Sequence, residues 1–304
     1  MYTEFYGLKQ KAFEIRPDPR FFYPTLQHKQ GFAKLYAAVK QHKGFSVLTG
    51  KAGTGKTLVV RWLARILESM DVGVAYVFNP QLSGNDFIDY ILTDLRLPAP
   101  AGSKSTALFT LMDYLVRQHE RGSTTVLIID EAHLLSRELI EEIRLLTNME
   151  SPRRKLLQII LSGQPELDEI IDSPHMPQLK QRIALRCRLQ GLQGSEIEAY
   201  IRQRLQTASL DPQNPQRRPD IFSRPAIAAI ERYSQGIPRL VNTICENSLA
   251  IGHVSRLSVI NASIVEEVAR QFGFRAAEEM SLTEHRFPPA ESVSAELFSE
   301  PAAK

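Results

Sequence analysis

The sequence has 304 residues, 43% apolar and 23% charged, with a net charge of +3. That is the make-up of an ordinary soluble protein with one large domain or two modest ones, and so small a charge does not by itself point to nucleic acid. Two cysteines, Cys187 and Cys245, fit no metal-ligand spacing and are expected to be packed, reduced thiols of a cytosolic protein. The N-terminus has no signal-peptide stretch, and no apolar run approaches the ~20 residues that span a bilayer, so work at a membrane would need a partner.

In chain order, residues 1–44 precede a region of alternating strands and helices. "FSVLT" (45–49), "VGVAYVF" (72–78), "TVLIID" (125–130), "LLQIILS" (156–162) and "IALRCRL" (183–189) read as strands. Helical spacing occupies 56–69, 85–95, 106–120 and 136–148 between them. Strand and helix repeated in this way predict an α/β fold, a parallel sheet covered on both faces with right-handed crossovers. From Ser195 the strand signal stops, and helical patterns follow at 195–208, 224–234, 238–253 and 261–272. The proline-containing stretch 211–220 reads as a surface connection. From about Arg275 periodicity fades, and the tail reads as disordered or as a linker.

The first chemical signal is "LTGKAGTGKTLVV" (48–60), where Gly50, Gly55, Lys56 and Thr57 satisfy G-x-x-x-x-G-K-[ST] between a strand and a helix start. Main-chain N–H groups from Gly50 through Gly53, Thr54 and Gly55 to Leu58 are placed to cradle phosphates at the helix N-terminus. Lys56 is expected to reach the β- and γ-phosphates, and the Thr57 hydroxyl to bind Mg²⁺. "VLIIDEAH" (126–133) adds Asp130 for the metal and Glu131 to polarise an attacking water. After the next strand, Gln164 is the first candidate to touch the γ-phosphate or the water, with Ser162 the second. Arg182, Arg186 and Arg188 surround the last strand, and one of them is expected to reach a neighbouring subunit's nucleotide, Arg182 being favoured. In "SQGIPRLVN" (234–242), Arg239 opens a helix and is placed to swing onto the phosphates.

In this order and spacing, the motifs resemble those of an AAA+ ATPase over about residues 1 to 272. The resemblance implies a P-loop NTPase with a five-stranded parallel sheet, one strand lying between the P-loop strand and the Walker B strand, and a C-terminal α-helical lid. It implies ATP and Mg²⁺ as ligands, Gln164 as sensor 1, Arg182 as the trans-acting finger and Arg239 as sensor 2. The expected divisions are an N-terminal strip (1–44) near the nucleotide site, an ATPase domain (45–192), a lid (193–273) and the tail (274–304).

More narrowly, "MYTEFYGLKQKAFEIRPDPRFFYPTLQH" (1–28), "GFSVLTGKAGTGKT", the "IIDEAHLL" segment and "GQPEL" resemble the ATPase module of the GspA/ExeA general secretion family, which is related to the TnsC and TniB transposition ATPases. That likeness makes Phe21, Phe22 and Tyr23 candidates for adenine-side or subunit-side contacts, or for stapling the N-terminus to the domain. It implies a homo-oligomer, ring or filament, that hydrolyses ATP to power a secretion, pilus or exopolysaccharide export apparatus, with a membrane or envelope complex as partner. The station implied is the cytoplasmic face of the inner membrane. Members of that family continue into a membrane helix and a peptidoglycan-binding domain, whereas this sequence runs into a polar tail. The alternative function is a DNA-associated regulator that polymerises with ATP and recruits a transposase. The basic stretch "SPRRK" (151–155) would then track phosphates. A third reading, an ATP switch with negligible turnover, is disfavoured by Glu131.

Overall fold

The computed structural model describes residues 2–14, 19–21, 23–98, 103–150, 154–211 and 220–276. The expected apolar runs form strands β1 (Phe45–Gly50), β2 (Gly73–Val77), β3 (Thr125–Ile129), β4 (Leu157–Gly163) and β5 (Ile183–Leu189). All pairings are parallel, in the order β2-β3-β4-β1-β5. β4 therefore separates β1 from β3, with Leu48 opposite Ser162 and Ile129 opposite Leu161.

The helices in chain order are α1 (Tyr2–Phe5), α2 (Leu26–Lys40), α3 (Lys56–Glu68), α4 (Gly84–Asp94), α5 (Lys104–Glu120), α6 (Arg137–Leu146), α7 (Glu166–Asp172), α8 (Pro177–Lys180), α9 (Ser195–Thr207), α10 (Arg224–Ser234), α11 (Pro238–Val254) and α12 (Ala262–Gln271). Short polar residues start several of them. Ser83, Ser136, Ser223 and Asn261 accept hydrogen bonds from the main chain three residues on, satisfying donors that a helix start leaves open. α2, a fifteen-residue helix within the expected N-terminal strip, begins at a capping box between Thr25 and His28.

Side-chain alternation along the strands fills a layer on each side of the sheet. Phe45, Val47, Leu127, Ile129, Ile159 and Leu161 join a core with residues of α4, α5 and α6, among them Phe87, Ile91, Leu111 and Ile143. Leu48, Val126, Ile128, Ile160 and Cys187 join a second core with α2 and α3 through Leu35, Val59, Leu63 and Leu67. Each fully buried Leu, Ile or Phe contributes about 1.5–3 kcal/mol, so the strands' positions are set mainly by these two layers. Both cysteines are buried, and neither is in a disulfide.

The chain divides into two units. One comprises the described parts of Ile15–Thr207 with Gly236–Leu240, and the other those of Met1–Glu14, Ala208–Gln235 and Val241–Lys304. This differs from the expected divisions at both ends of the sheet region. α9 goes with the α/β unit, while residues 2–14 go with the helical one. Within the helical unit the Tyr2 hydroxyl donates to Glu246 Oε1 at 2.6 Å, Tyr6 donates to the Leu257 carbonyl at 2.8 Å, and Phe13 meets Phe222 edge-on at 6.1 Å. Tyr6 and Phe13 are thus core residues of that unit. The connection 212–219 and the tail beyond residue 276 lie outside the described residues.

Candidate active site

Why the loop after β1 holds its shape is visible at its glycines. Gly53 and Gly55 have φ of 82° and 98°, a region open to glycine and strained for other residues. There is also no room for side chains. A Cβ on Gly50 would stand 2.6 Å from the Leu189 carbonyl oxygen, one on Gly53 2.7 Å from Arg239 Cβ, and one on Gly55 2.6 Å from His28 Nε2. Thr54 closes the turn by donating to the Lys51 carbonyl at 2.8 Å. α3 then begins at Lys56, so the N–H groups of Lys56, Thr57 and Leu58 lie in its first turn without intrahelical carbonyls, where an anion is favoured.

The Lys56 side chain is buried and folds back over the loop, donating to the carbonyls of Gly50 at 2.8 Å and Lys51 at 3.2 Å. Burial pulls its pKa below the ordinary lysine value. The charges of Glu131 and Asp130 act against that shift, and Arg239 adds to it. Arg239, at the exposed start of α11, lies beside the loop, with its Cβ next to Gly53.

Asp130 follows β3 and is buried, so its carboxylate needs donors. Thr57 and Ser162 each donate at 2.7 Å, Tyr76 at 3.0 Å and the Glu131 main-chain N–H at 3.1 Å. Thr57 Oγ1 beside an Asp130 oxygen is a hard-oxygen pair of the kind Mg²⁺ takes alongside phosphate oxygens, so this donor set fits the ion. Glu131 itself has a left-handed backbone, φ 51° and ψ 35°, and its partly exposed carboxylate lies 3.6 Å from His133 Nδ1. Ser162, second choice for the γ-phosphate contact, is committed to Asp130, while Gln164 approaches the ring of His133 with its side chain at 2.8 Å.

The three arginines around β5 have different partners. Arg186 pairs with Asp172 at 2.9 Å and Arg188 with Asp168 at 2.8 Å, the latter carboxylate also accepting from Thr49 at 2.8 Å. Arg186 and Lys180 together hold the Asp172 carboxyl down at about 2. Arg182 bonds the neutral hydroxyl of Thr147, so no carboxylate takes it up in that bond. β5 pairs with β1 alone and forms an edge of the sheet.

Two expectations fare differently. Phe21 lies under the Arg204 guanidinium at 4.9 Å and Tyr23 meets Tyr200 at 5.8 Å, so both staple the chain to α9, while Phe22 lies outside the described residues. In the basic stretch, Lys155 is ion-paired with Glu150, Arg154 is exposed, and Ser151, Pro152 and Arg153 lie outside the described residues.

Three contributors were not singled out by sequence reasoning. Tyr76 reaches Asp130 from β2. His133 ends the quoted "VLIIDEAH". His28 supports the loop through the Thr54 carbonyl, 2.8 Å from Nε2, and the Thr25-x-x-His28 spacing at a helix start was the available signal. Among the described residues no cluster of His, Cys, Asp or Glu could by itself hold a metal, and no helix is long and apolar enough to cross a membrane.

Residues 39–171 match the family model of the AAA domain. General secretion pathway protein A of Aeromonas hydrophila is 38% identical over 251 residues, which is 82% of this chain and 44% of that protein, so the chain spans less than half of that relative's length. Among solved structures, Cdc6p from Pyrobaculum aerophilum superposes with a TM-score of 0.62 at 17% identity, covering 90% of this chain and 75% of that one. The Aeropyrum pernix ORC1 protein, solved in complex with DNA, gives 0.58 at 14% identity, covering 86% and 69%. At such identities the likeness to these structures speaks for the fold alone, an AAA+ sheet with helices following it.

Proposed function

From the premise that this chain is an AAA+ protein related to general secretion pathway protein A, we propose that it binds ATP, hydrolyses it and works as an oligomer that assembles or remodels a secretion, pilus or export apparatus. The observation that carries the catalytic part is the Asp130 carboxylate bonded to Thr57 Oγ1 at 2.7 Å with Glu131 directly beside it. On ATP binding, Lys56 exchanges the Gly50 and Lys51 carbonyls for β- and γ-phosphate oxygens, and the loop N–H groups take the remaining charge. Thr57 and Asp130 would hold Mg²⁺, which would supply positive charge against the phosphate oxygens. Glu131 accepts the proton of the attacking water, while Gln164 contacts the terminal phosphate. Arg239 adds positive charge from the same chain and Arg182 from a neighbour. A secretion apparatus is supported by the likeness to the secretion protein alone, and the inner-membrane face as the place of work is part of the proposal.

The test is ATP turnover by the purified chain with Mg²⁺, beside Glu131→Gln. The variant should bind ATP as tightly as the unaltered protein and hydrolyse it about 10²- to 10⁴-fold more slowly. Equal rates would remove Glu131 from the role assigned to it.

A further inference from the structure

The residues assigned to the nucleotide so far all lie at or after the end of β1, but one buried side chain reaches the loop from α2, which precedes it. His28 Nε2 lies 2.8 Å from the Thr54 carbonyl oxygen, while Nδ1 accepts the Thr25 main-chain N–H at 3.2 Å. The ring hydrogen therefore sits on Nε2 and is donated to that carbonyl. The ring is held in place on both sides. Thr25 and His28 close the capping box at the start of α2, and the ring edge lies against Gly55, where a Cβ would stand 2.6 Å from Nε2 and 3.3 Å from Cε1.

In a planar trans peptide the C=O and N–H point in opposite directions. With the Thr54 carbonyl turned toward His28, the Gly55 N–H is turned away from it. Among the described residues no group accepts that N–H, which stands open just before the first turn of α3. Among the same residues no main-chain N–H donates to the Thr54 carbonyl, so the imidazole is its hydrogen-bond partner. Turning this peptide over changes only ψ of Thr54 and φ of Gly55. Glycine takes φ of either sign at little cost, so Gly55, at 98°, does not by itself prevent the turn. Turned over, the unit presents a carbonyl oxygen where the N–H now stands, and a phosphate there meets negative charge in place of a donor.

We propose that His28 is a positioning residue for phosphate binding: its Nε2–H pins the Thr54–Gly55 peptide so that the Gly55 N–H stays available to a nucleotide phosphate. This rests on the reading of the loop as a phosphate site, and it gives a residue outside the glycine-rich motif control of one donor within it. Main-chain donors of such a loop cradle phosphates that ATP and ADP share, so His28 serves the binding of both.

The test uses the full chain with His28→Leu, which fills the ring's space without a donor, and His28→Gln, whose side-chain nitrogen can stand in for Nε2. Affinities for ATP and ADP and turnover are measured, together with spectra of protein labelled with ¹³C at threonine carbonyls and ¹⁵N at glycine. The sequence has two Thr–Gly pairs, 49–50 and 54–55, so such a spectrum holds two signals, the Gly50 one serving as control. His28→Leu should weaken ATP and ADP about tenfold or more while kcat at saturation stays within about threefold, and Gln should recover most of the loss. Without nucleotide, the Gly55 signal should shift in the Leu variant and return in the Gln variant. ADP should then move it in the unaltered and Gln proteins and leave it in place in the Leu variant. If His28→Leu fails to fold, His28→Asn, which keeps an acceptor for the Thr25 N–H but is too short to reach Thr54, takes its place. Affinities for the donor-less variant within about twofold of the unaltered protein, a Gln variant that binds no tighter, or one Gly55 response to ADP in all three would each overturn the assignment. Should the unaltered chain bind neither nucleotide, the phosphate reading fails. The spectra without nucleotide still decide the role of His28, because a Gly55 signal unmoved by loss of the donor would refute it.

Discussion

Tyr76 and His28 show how single side chains prepare the site. Burial, and then the charge of Asp130, push the Tyr76 phenol well above its ordinary pKa, so it remains a donor to the carboxylate at any working pH. Tyr76→Phe should cost about 1 kcal/mol of stability, read as a lowered urea midpoint with the slope unchanged. His28 has a different constraint. Its Nδ1 accepts the Thr25 N–H at 3.2 Å, which assigns the hydrogen to Nε2, where it is donated to the Thr54 carbonyl. Burial depresses its pKa below the ordinary 6.5, against the smaller upward pull of the Thr54 carbonyl and Glu196. The unfolded chain therefore takes up this proton at a higher pH than the folded one. Stability from His28 is full above about pH 6.5 and is lost as the pH falls through the folded value. Urea midpoints measured between about pH 7 and 5 should fall with pH, and His28→Gln should flatten part of that fall.

Among elements, the loop between β1 and α3 is held by several constraints at once. Its left-handed glycines, the buried Lys56 and the buttress from α2 act on the same few main-chain atoms. Gly55→Ala places a Cβ in the space of His28 Nε2 and strains a φ of 98°, so it should lower stability by about 1–3 kcal/mol. ATP affinity should fall with it, since His28 or the loop must move. Calorimetric melting together with nucleotide titration checks both. An alanine variant that melts and binds like the unaltered protein would show that the loop is softer than its geometry implies. β3 and β4 play the complementary part. Their ends carry Asp130 and Ser162 to hydrogen-bonding distance because the two strands are neighbours, not because the residues are close in sequence.

For the molecule as a whole, the proposed trans-acting arginine makes assembly part of the chemistry. Hydrolysis per chain should rise with protein concentration, and mixing Arg182→Ala with Lys56→Ala subunits should restore some activity at interfaces that pair an intact site with an intact arginine. If Arg182→Ala were fully active alone and Arg186→Ala or Arg188→Ala were complemented instead, the finger would move to that residue. Much of this protein was legible along the chain. The strand and helix runs, the glycine-rich loop with Lys56 and Thr57, and the Asp130–Glu131 pair are local patterns whose spacing reflects backbone geometry over a few residues. Tertiary structure decided what depends on strand order and packing. Tyr76 and Ser162 converge on Asp130 from strands on either side of β3, and residues 2–14 join the helical unit, in which Tyr6 and Phe13 are buried. His133 acquires Gln164 as a partner only when β4 lies beside β3. Such contacts link residues tens of positions apart, and they are fixed by burial and sheet hydrogen bonding, to which no local spacing corresponds.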